Sequence, residues 1–195
     1  MSGGSIIVLA ILVFAGVTIF KGVRIVPQGY KWIVQRLGKY HTTLTPGLSF
    51  VIPYVDEVAY KVTTKDIVMD IPSQEVITRD NAVLLMNAMA YINITTPEKA
   101  VYGIENYTWA IQNLVQTSLR SIVGEMDLDD ALSSRDHIKA KLKAAISDDI
   151  SDWGITLKTV EIQDIQPSST MQSAMEAQAA AERQRRATVT KADGE

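Results

Sequence analysis

Three aspartates stand close enough together in the sequence to suggest chemistry: Asp127, Asp129 and Asp130. Grouped carboxylates can hold a cation or exchange protons. They also suit the first turn of a helix, where the helix dipole favours negative charge. We interpret them as the start of a helix.

The other reactive residue types do not complete a catalytic or metal site. His41 and His137 are the only histidines and are far apart in sequence, so we interpret both as surface residues. Cysteine is absent, which excludes disulfides, thiolate metal ligands, thiol catalysis and palmitoylation. No Gly-x-Ser-x-Gly or Ser-x-x-Lys motif and no glycine-rich phosphate loop occurs. We therefore predict no enzymatic activity, no catalytic residue, no metal and no cofactor.

The strongest signal is an apolar segment at the N-terminus. Residues 2–20 carry no charged side chain, and a helix over them is about 28 Å long, close to the ~30 Å hydrocarbon core of a bilayer. A cleaved signal peptide is the main alternative, although its usual positive start is missing. We predict a retained transmembrane anchor over residues 1–22. Its apolar side chains are Ile6, Ile7, Val8, Leu9, Ile11, Leu12, Val13, Phe14, Val17, Ile19 and Phe20.

Positive residues follow the apolar segment and none precedes it. Lys21 and Arg24 are the first of them and form the predicted juxtamembrane charge. Because positive residues resist translocation, we expect the C-terminal part of the chain in the cytoplasm. The net charge of −3 and the lack of another basic cluster argue against nucleic acid as a partner.

The rest of the chain predicts an α+β fold in which strands come first, helices follow, and a last strand rejoins the sheet. Residues 23–95 show the signals of β-structure, with alternating stretches in the earlier strands. The run at 83–92 has apolar groups on both faces, which predicts a central strand covered on each side. Thr96 and Pro97 begin the helical part, a longer helix starts near Tyr107, and residues 133–136 resemble a capping box that opens another. Gly154 provides a left-handed stop before a strand at 155–165. The inward positions predicted for the two long helices are Ile111, Leu114, Val115, Ile122, Val123, Met126, Ile138, Leu142, Ala145, Ile146, Ile150 and Trp153.

Two further segments have an apolar or small-residue pattern whose role the sequence leaves open. Residues 48–52 follow a Pro-Gly turn and either dip into the membrane interface or form a core strand; the apolar side chains are Leu48, Phe50, Val51 and Ile52. Residues 168–195 are rich in Ala, Gln, Glu and Arg, and we predict a helix over 169–188. It is either a solvated tail or packs beside neighbouring helices through a seam of Met171, Ala174, Met175, Gln178 and Ala181.

Several motifs together resemble the SPFH (band 7) family of stomatins, prohibitins and flotillins. They are Val-Pro-Gln-Gly-Tyr at 26–30, Arg-Leu-Gly-Lys-Tyr at 36–40, Pro-Gly-x-x-Phe-x-x-Pro-x-x-Asp at 46–56, Asp-Ile-Pro-Ser-Gln-Glu at 70–75, Thr-Arg-Asp-Asn at 78–81, and Trp-Gly-Ile at 153–155 leading to Val-Glu-Ile at 160–162. Each motif is weak alone, and their order and spacing carry the resemblance. Within the family the sequence is most similar to bacterial stomatin-like proteins of the QmcA and paraslipin type.

The resemblance implies an oligomeric scaffold in the inner (cytoplasmic) membrane rather than an enzyme. It implies a single-pass anchor at 1–22, a β-rich membrane-proximal subdomain at 23–95, an α/β subdomain at 96–167, and the start of a coiled-coil helix at 168–195. Such proteins form homo-oligomeric rings or cages through neighbouring domains and helices and organise a membrane microdomain. The implied partners are the lipid bilayer and an NfeD-type membrane protein or AAA membrane protease. Control of substrate access to such a protease is the alternative function. Family members usually carry a longer helix, so we expect a short form or a fragment.

Overall fold

The computed structural model describes residues 3–192, except for the side chains of residues 3–8, 10, 175, 178, 182 and 187–192. The chain forms two compact units, and each of them draws on separate stretches of sequence. The first unit comprises Met1–Ile67, Ile92–Tyr107 and Asp149–Thr156, and the second comprises Val68–Tyr91, Thr108–Asp148 and Leu157–Glu195.

The first unit begins with helix α1, Gly3–Gly22. The prediction of a helix over this segment is therefore confirmed. Among the residues that the structure describes, no helix is both long enough and apolar enough to cross a bilayer, so the predicted transmembrane span is not confirmed.

Five short strands and one short helix complete the first unit. Strands β1 (Val23–Val26) and β4 (Gly47–Phe50) form an antiparallel two-stranded ribbon. Strands β2 (Tyr30–Arg36), β3 (Lys39–Leu44) and β5 (Asp56–Thr63) form a sheet in the order β3-β2-β5, and helix α2 spans Pro97–Tyr102. The core of this unit joins the ribbon to the sheet. It consists of Val26, Val34, Leu44 and Val51, with Trp32 and Val58 packed against it.

The second unit is built on a three-stranded sheet whose order is β6-β7-β8. The strands span Ile67–Ile77, Val83–Ile94 and Ile155–Pro167. The central position of β7 and the return of the last strand to the sheet are confirmed. Every second side chain of β7 is buried, which is the two-residue period of a strand with one face on the core.

Four helices accompany this sheet: α3 Tyr107–Gly124, α4 Leu128–Ser133, α5 Arg135–Asp152 and α6 Ser169–Ala192. The buried side chains of α5 are four residues apart, one helical turn, and this spacing leaves the predicted inward residue Ala145 exposed. On α3 the predicted Leu114 is only half-buried, whereas Leu119 is fully buried because it continues the stripe one turn after Val115. The core side chains of the two helices are Ile111, Val115, Leu119, Ile122, Val123, Ile138, Leu142, Ile146 and Ile150.

Gly154 is a position where only glycine fits. Its φ of +72° is left-handed, as the sequence predicts, and a Cβ there would lie 2.5 Å from the carbonyl oxygen of Thr96. The Gly154 carbonyl accepts hydrogen bonds from the N–H groups of Thr95 and Thr96. Thr96 precedes α2 as expected, with Pro97 in the first turn, but its side chain makes no capping hydrogen bond.

Candidate functional site

The β1/β4 ribbon has one face made of exposed apolar side chains. Its register pairs Val23 with Phe50 and Ile25 with Leu48. Alternate residues of a strand point to the same side, so these four side chains share one face. Their exposed fractions are 40%, 60%, 70% and 77% in the order just given. We call these four residues the apolar face.

The side chains of residues 48–52, the segment with a predicted membrane-dipping role, differ in exposure. Leu48, Phe50 and Ile52 are exposed, whereas Val51 is 5% exposed and belongs to the core of the first unit. Of the two roles that the sequence leaves open for this segment, Val51 has the core role and does not dip into a membrane. Neighbouring residues of an extended chain point to opposite sides, so Val51 turns inward where Phe50 turns outward.

Helix α1 adds a second exposed apolar surface. All the predicted anchor side chains that the structure describes are exposed, while Ile6, Ile7 and Val8 lie outside the described side chains. The exposed ones are Leu9, Ile11, Leu12, Val13, Phe14, Val17, Ile19 and Phe20. Monomeric soluble proteins rarely expose apolar patches of this extent, and large patches mark interaction sites.

Gly22 joins α1 to the ribbon at very short distances. The Val51 N–H donates to the Gly22 carbonyl at 2.8 Å. A Cβ at Gly22 would lie 2.6 Å from Cε2 of Phe50 and 2.7 Å from the carbonyl oxygen of Val51. The last residue of the helix is therefore in direct contact with β4, and the two apolar surfaces meet there.

A groove of about 880 Å³ lies where α1, the ribbon and the loop after β4 meet. Its wall is apolar and aromatic at Phe20, Trp32 and Tyr54. The predicted juxtamembrane charges, Lys21 and Arg24, also line it and are exposed. The Lys21 ammonium lies 5.6 Å from the centre of the Tyr54 ring.

Among the described residues that line this groove, one carboxylate is present, that of Asp56, and it is already paired. Arg36 donates to it twice, from Nε to Oδ1 at 2.6 Å and from Nη2 to Oδ2 at 3.0 Å. The Ile52 N–H donates to Oδ2 at 2.9 Å. The Arg36 hydrogen bonds, more than the Ile52 N–H, lower the pKa of Asp56 to about 2. Asp56 is therefore ionised and holds the loop that carries Tyr54, whose φ is +70°.

The aspartate group near residue 127 has a structural role, as the sequence predicts. Asp127 precedes α4, and Asp129 and Asp130 lie in its first turn. Arg79 pairs with Asp127 through two hydrogen bonds, one of them from Nε to Oδ1 at 2.9 Å. Within the described residues, no three His, Asp or Glu side chains group as metal ligands would.

Asp80 fixes the turn between β6 and β7 to the start of α4. It accepts a hydrogen bond from the Thr78 hydroxyl at 2.5 Å and another from the Leu128 N–H at 3.2 Å. These bonds, the Thr78 one first, lower the pKa of Asp80. The bond from Leu128 to Asp80 spans 48 residues of sequence and therefore depends on the fold.

His41 and His137 are both exposed, as predicted.

The described residues of the predicted oligomerisation seam lie on α6. Ala174 and Ala181 are exposed and Met171 is half-buried, while Met175 and Gln178 lie outside the described side chains. A different stripe lines a cleft of about 440 Å³ beside the end of β8; it consists of Gln172, Glu176, Ala179 and Arg183. At about 100° per residue the mean directions of the two stripes are roughly 135° apart. Association of α6 with other helices remains a prediction.

The similarity to known proteins extends over almost the whole chain. The SPFH domain / Band 7 family matches residues 24–195. An uncharacterized protein of Methanocaldococcus jannaschii is 40% identical over 177 residues, which cover 91% of this chain and 88% of the relative. An uncharacterized protein of Mycobacterium tuberculosis is 35% identical over 191 residues, covering 98% and 50%. Human stomatin-like protein 2, mitochondrial, is 37% identical over 169 residues, covering 87% and 48%. The chain thus spans about half the length of the latter two relatives.

Proposed function

Because the chain belongs to the SPFH domain / Band 7 family, we propose that it is a membrane-associated scaffold that acts as a homo-oligomer and catalyses no reaction. The observation that carries the proposal is the apolar face of the β1/β4 ribbon, which adjoins the exposed apolar helix α1. Water is a poor solvent for this surface, and a bilayer is a good one.

The energetics of the apolar face favour contact with lipid. Full burial of a valine, leucine, isoleucine or phenylalanine side chain contributes roughly 1.5–3 kcal/mol. Leu48 and Ile25 are more than two-thirds exposed and therefore retain most of this free energy for an apolar partner. A β-ribbon with one apolar face can lie along the interface while its other side stays in contact with the core of the unit.

Membrane attachment also explains how weak contacts between copies can produce an assembly. Chains held on one surface reach a high effective concentration, so that lateral contacts of low affinity are populated. We propose that these contacts involve neighbouring domains and the α6 seam, and that the products are rings or cages that organise a membrane microdomain. Lys21 and Arg24 after the apolar segment support the cytoplasmic side of the inner membrane as the location.

Two measurements on the full chain test the proposal. Co-flotation with phosphatidylcholine vesicles measures attachment, and electron microscopy of the detergent-extracted particle measures assembly. We expect co-flotation and a closed multi-subunit particle. A chain that stays at the bottom of the gradient and is monomeric at micromolar concentration would contradict the scaffold.

Two further experiments test the alternatives. Stoichiometric co-purification of a membrane protease would favour the regulatory role instead, and labelling of one serine by a serine-hydrolase probe would contradict the absence of catalysis.

A further inference from the structure

We propose that the groove at the junction of α1 and the β1/β4 ribbon binds the headgroup of a net-anionic lipid, with Lys21 and Arg24 as the cationic ligands. The inference rests on the proposed membrane association and adds a lipid class to it. The apolar face alone would accept any bilayer, so the selectivity must come from the groove.

The charge of the groove favours an anionic ligand. Lys21 and Arg24 are exposed and line it, and Asp56 is the one acidic residue among its lining side chains. Arg36 neutralises Asp56 through two hydrogen bonds, which leaves the two cations uncompensated within the groove. A guanidinium matches the geometry of phosphate oxygens, and an ammonium adds a point charge.

The aromatic rings of the groove favour an anionic over a zwitterionic headgroup. A choline group is recognised by open aromatic faces. In this groove the Lys21 ammonium lies over the Tyr54 ring at 5.6 Å, and the Lys61 ammonium lies over the Trp32 ring at 4.7 Å. Both rings are therefore already occupied by a positive charge, and a choline would meet like charge.

The apolar wall of the groove favours a lipid over a free phosphate. Phe20 is 85% exposed and Ile25 is 70% exposed, and both line the groove. Ile25 also belongs to the apolar face, so the wall continues into the surface proposed to contact lipid. A volume of about 880 Å³ is far larger than a phosphate ion requires and lies in the range of sites for larger amphiphilic ligands.

The test measures lipid selectivity of the full chain in detergent, where no vesicle is needed. Titration with dihexanoyl-phosphatidylglycerol and with dihexanoyl-phosphatidylcholine, below their micelle concentrations, is followed by native mass spectrometry. We expect about tenfold tighter binding of the phosphatidylglycerol. In the double variant Lys21→Gln/Arg24→Gln this preference is lost. The matched control, Lys39→Gln/Lys99→Gln, removes the same charge from exposed positions outside the groove lining and keeps the preference.

Three outcomes would overturn the site. They are equal binding of the two lipids by the unmodified chain, equal loss of preference in the control variant, and displacement of the lipid by millimolar inorganic phosphate. The single variants Lys21→Gln and Arg24→Gln, each checked by thermal unfolding, replace the double variant if it fails to fold.

Vesicle flotation tests the proposed membrane association independently of the lipid preference of the groove. If the double variant still floats with phosphatidylcholine vesicles but has lost the lipid preference, both proposals stand. If the unmodified chain floats without any lipid preference in detergent, the groove fails and the scaffold stands. If it does not float with any vesicle, membrane association fails.

Discussion

Arg36 and Asp56 are direct partners across strands β2 and β5 and are also joined by two parallel side-chain hydrogen bonds. The Asp56 side chain is only 3% exposed, so the pair is sheltered on the carboxylate side. Together with the Ile52 N–H, the pair fixes the loop that forms one wall of the groove. The position of this loop therefore depends on an ionised carboxylate.

This ion pair predicts a loss of stability in acid. Because the pKa of Asp56 is lowered from 3.8 to about 2, the folded state binds the proton more weakly than the unfolded state. The stabilisation is complete above about pH 4 and is lost as the pH falls toward 2. Near pH 7 we expect Asp56→Asn to lower the free energy of unfolding by roughly 2 kcal/mol. Urea unfolding between pH 7 and pH 2.5 should show this difference shrinking in acid. The exposed neighbour Glu57→Gln is the control, and a difference independent of pH would contradict the assignment.

The close contact at Gly22 predicts a large effect of a single methyl group. Gly22→Ala places Cβ against the Phe50 ring and the Val51 carbonyl, and the carbonyl cannot move without the strand. We expect a lower midpoint of thermal unfolding, by an amount equivalent to about 2 kcal/mol. Gly16→Ala is the control, because nothing lies within 4 Å of a Cβ there and alanine favours a helix. Equal behaviour of the two variants would show that α1 and β4 do not touch.

The apolar face predicts which substitutions reduce vesicle binding. Leu48→Glu and Phe50→Glu place a charge on exposed positions of the face, so they should leave folding intact and weaken co-flotation with phosphatidylcholine vesicles at least fivefold. Leu37→Glu is the matched control, because Leu37 is 83% exposed and outside the face. If the Leu37 variant weakened flotation equally, general surface charge rather than the face would be responsible.

The α6 seam predicts a difference between two adjacent alanines. Ala181→Glu introduces a charge on the seam, whereas Ala180→Glu introduces the same charge 100° around the helix. Both residues are exposed. We expect the first variant to reduce the particle mass measured by light scattering and the second to leave it unchanged. A reversed or identical response would remove the seam from the assembly.

The order of elements follows closely from the sequence because each signal is local. The apolar run of β7 and the glycine after α5 both act over a few residues. The inward position of Val51 could not be predicted, because apolar residues in a short extended segment do not indicate which side faces the core. The compact units could not be predicted either, since each unit assembles stretches that are separated by tens of residues.

Only part of the groove could be predicted from local sequence patterns. Lys21 and Arg24 could be identified from their position after the apolar segment. Their neighbours Trp32, Tyr54 and Asp56 come from three later parts of the chain, and only the folded ribbon and loop bring them together. The role of Arg36 in neutralising Asp56 likewise depends on a cross-strand register that no local pattern specifies.

Helix α1 ends at Gly22 and strand β1 begins at Val23, with no residue between them to serve as a flexible spacer. A surface that binds helix α1 therefore also fixes the distance of the first unit from that surface, to within about the length of one or two residues. Identical copies bound to one plane would all hold their lateral surfaces at the same distance from it. Such alignment lowers the entropic cost of assembling the copies into a regular array.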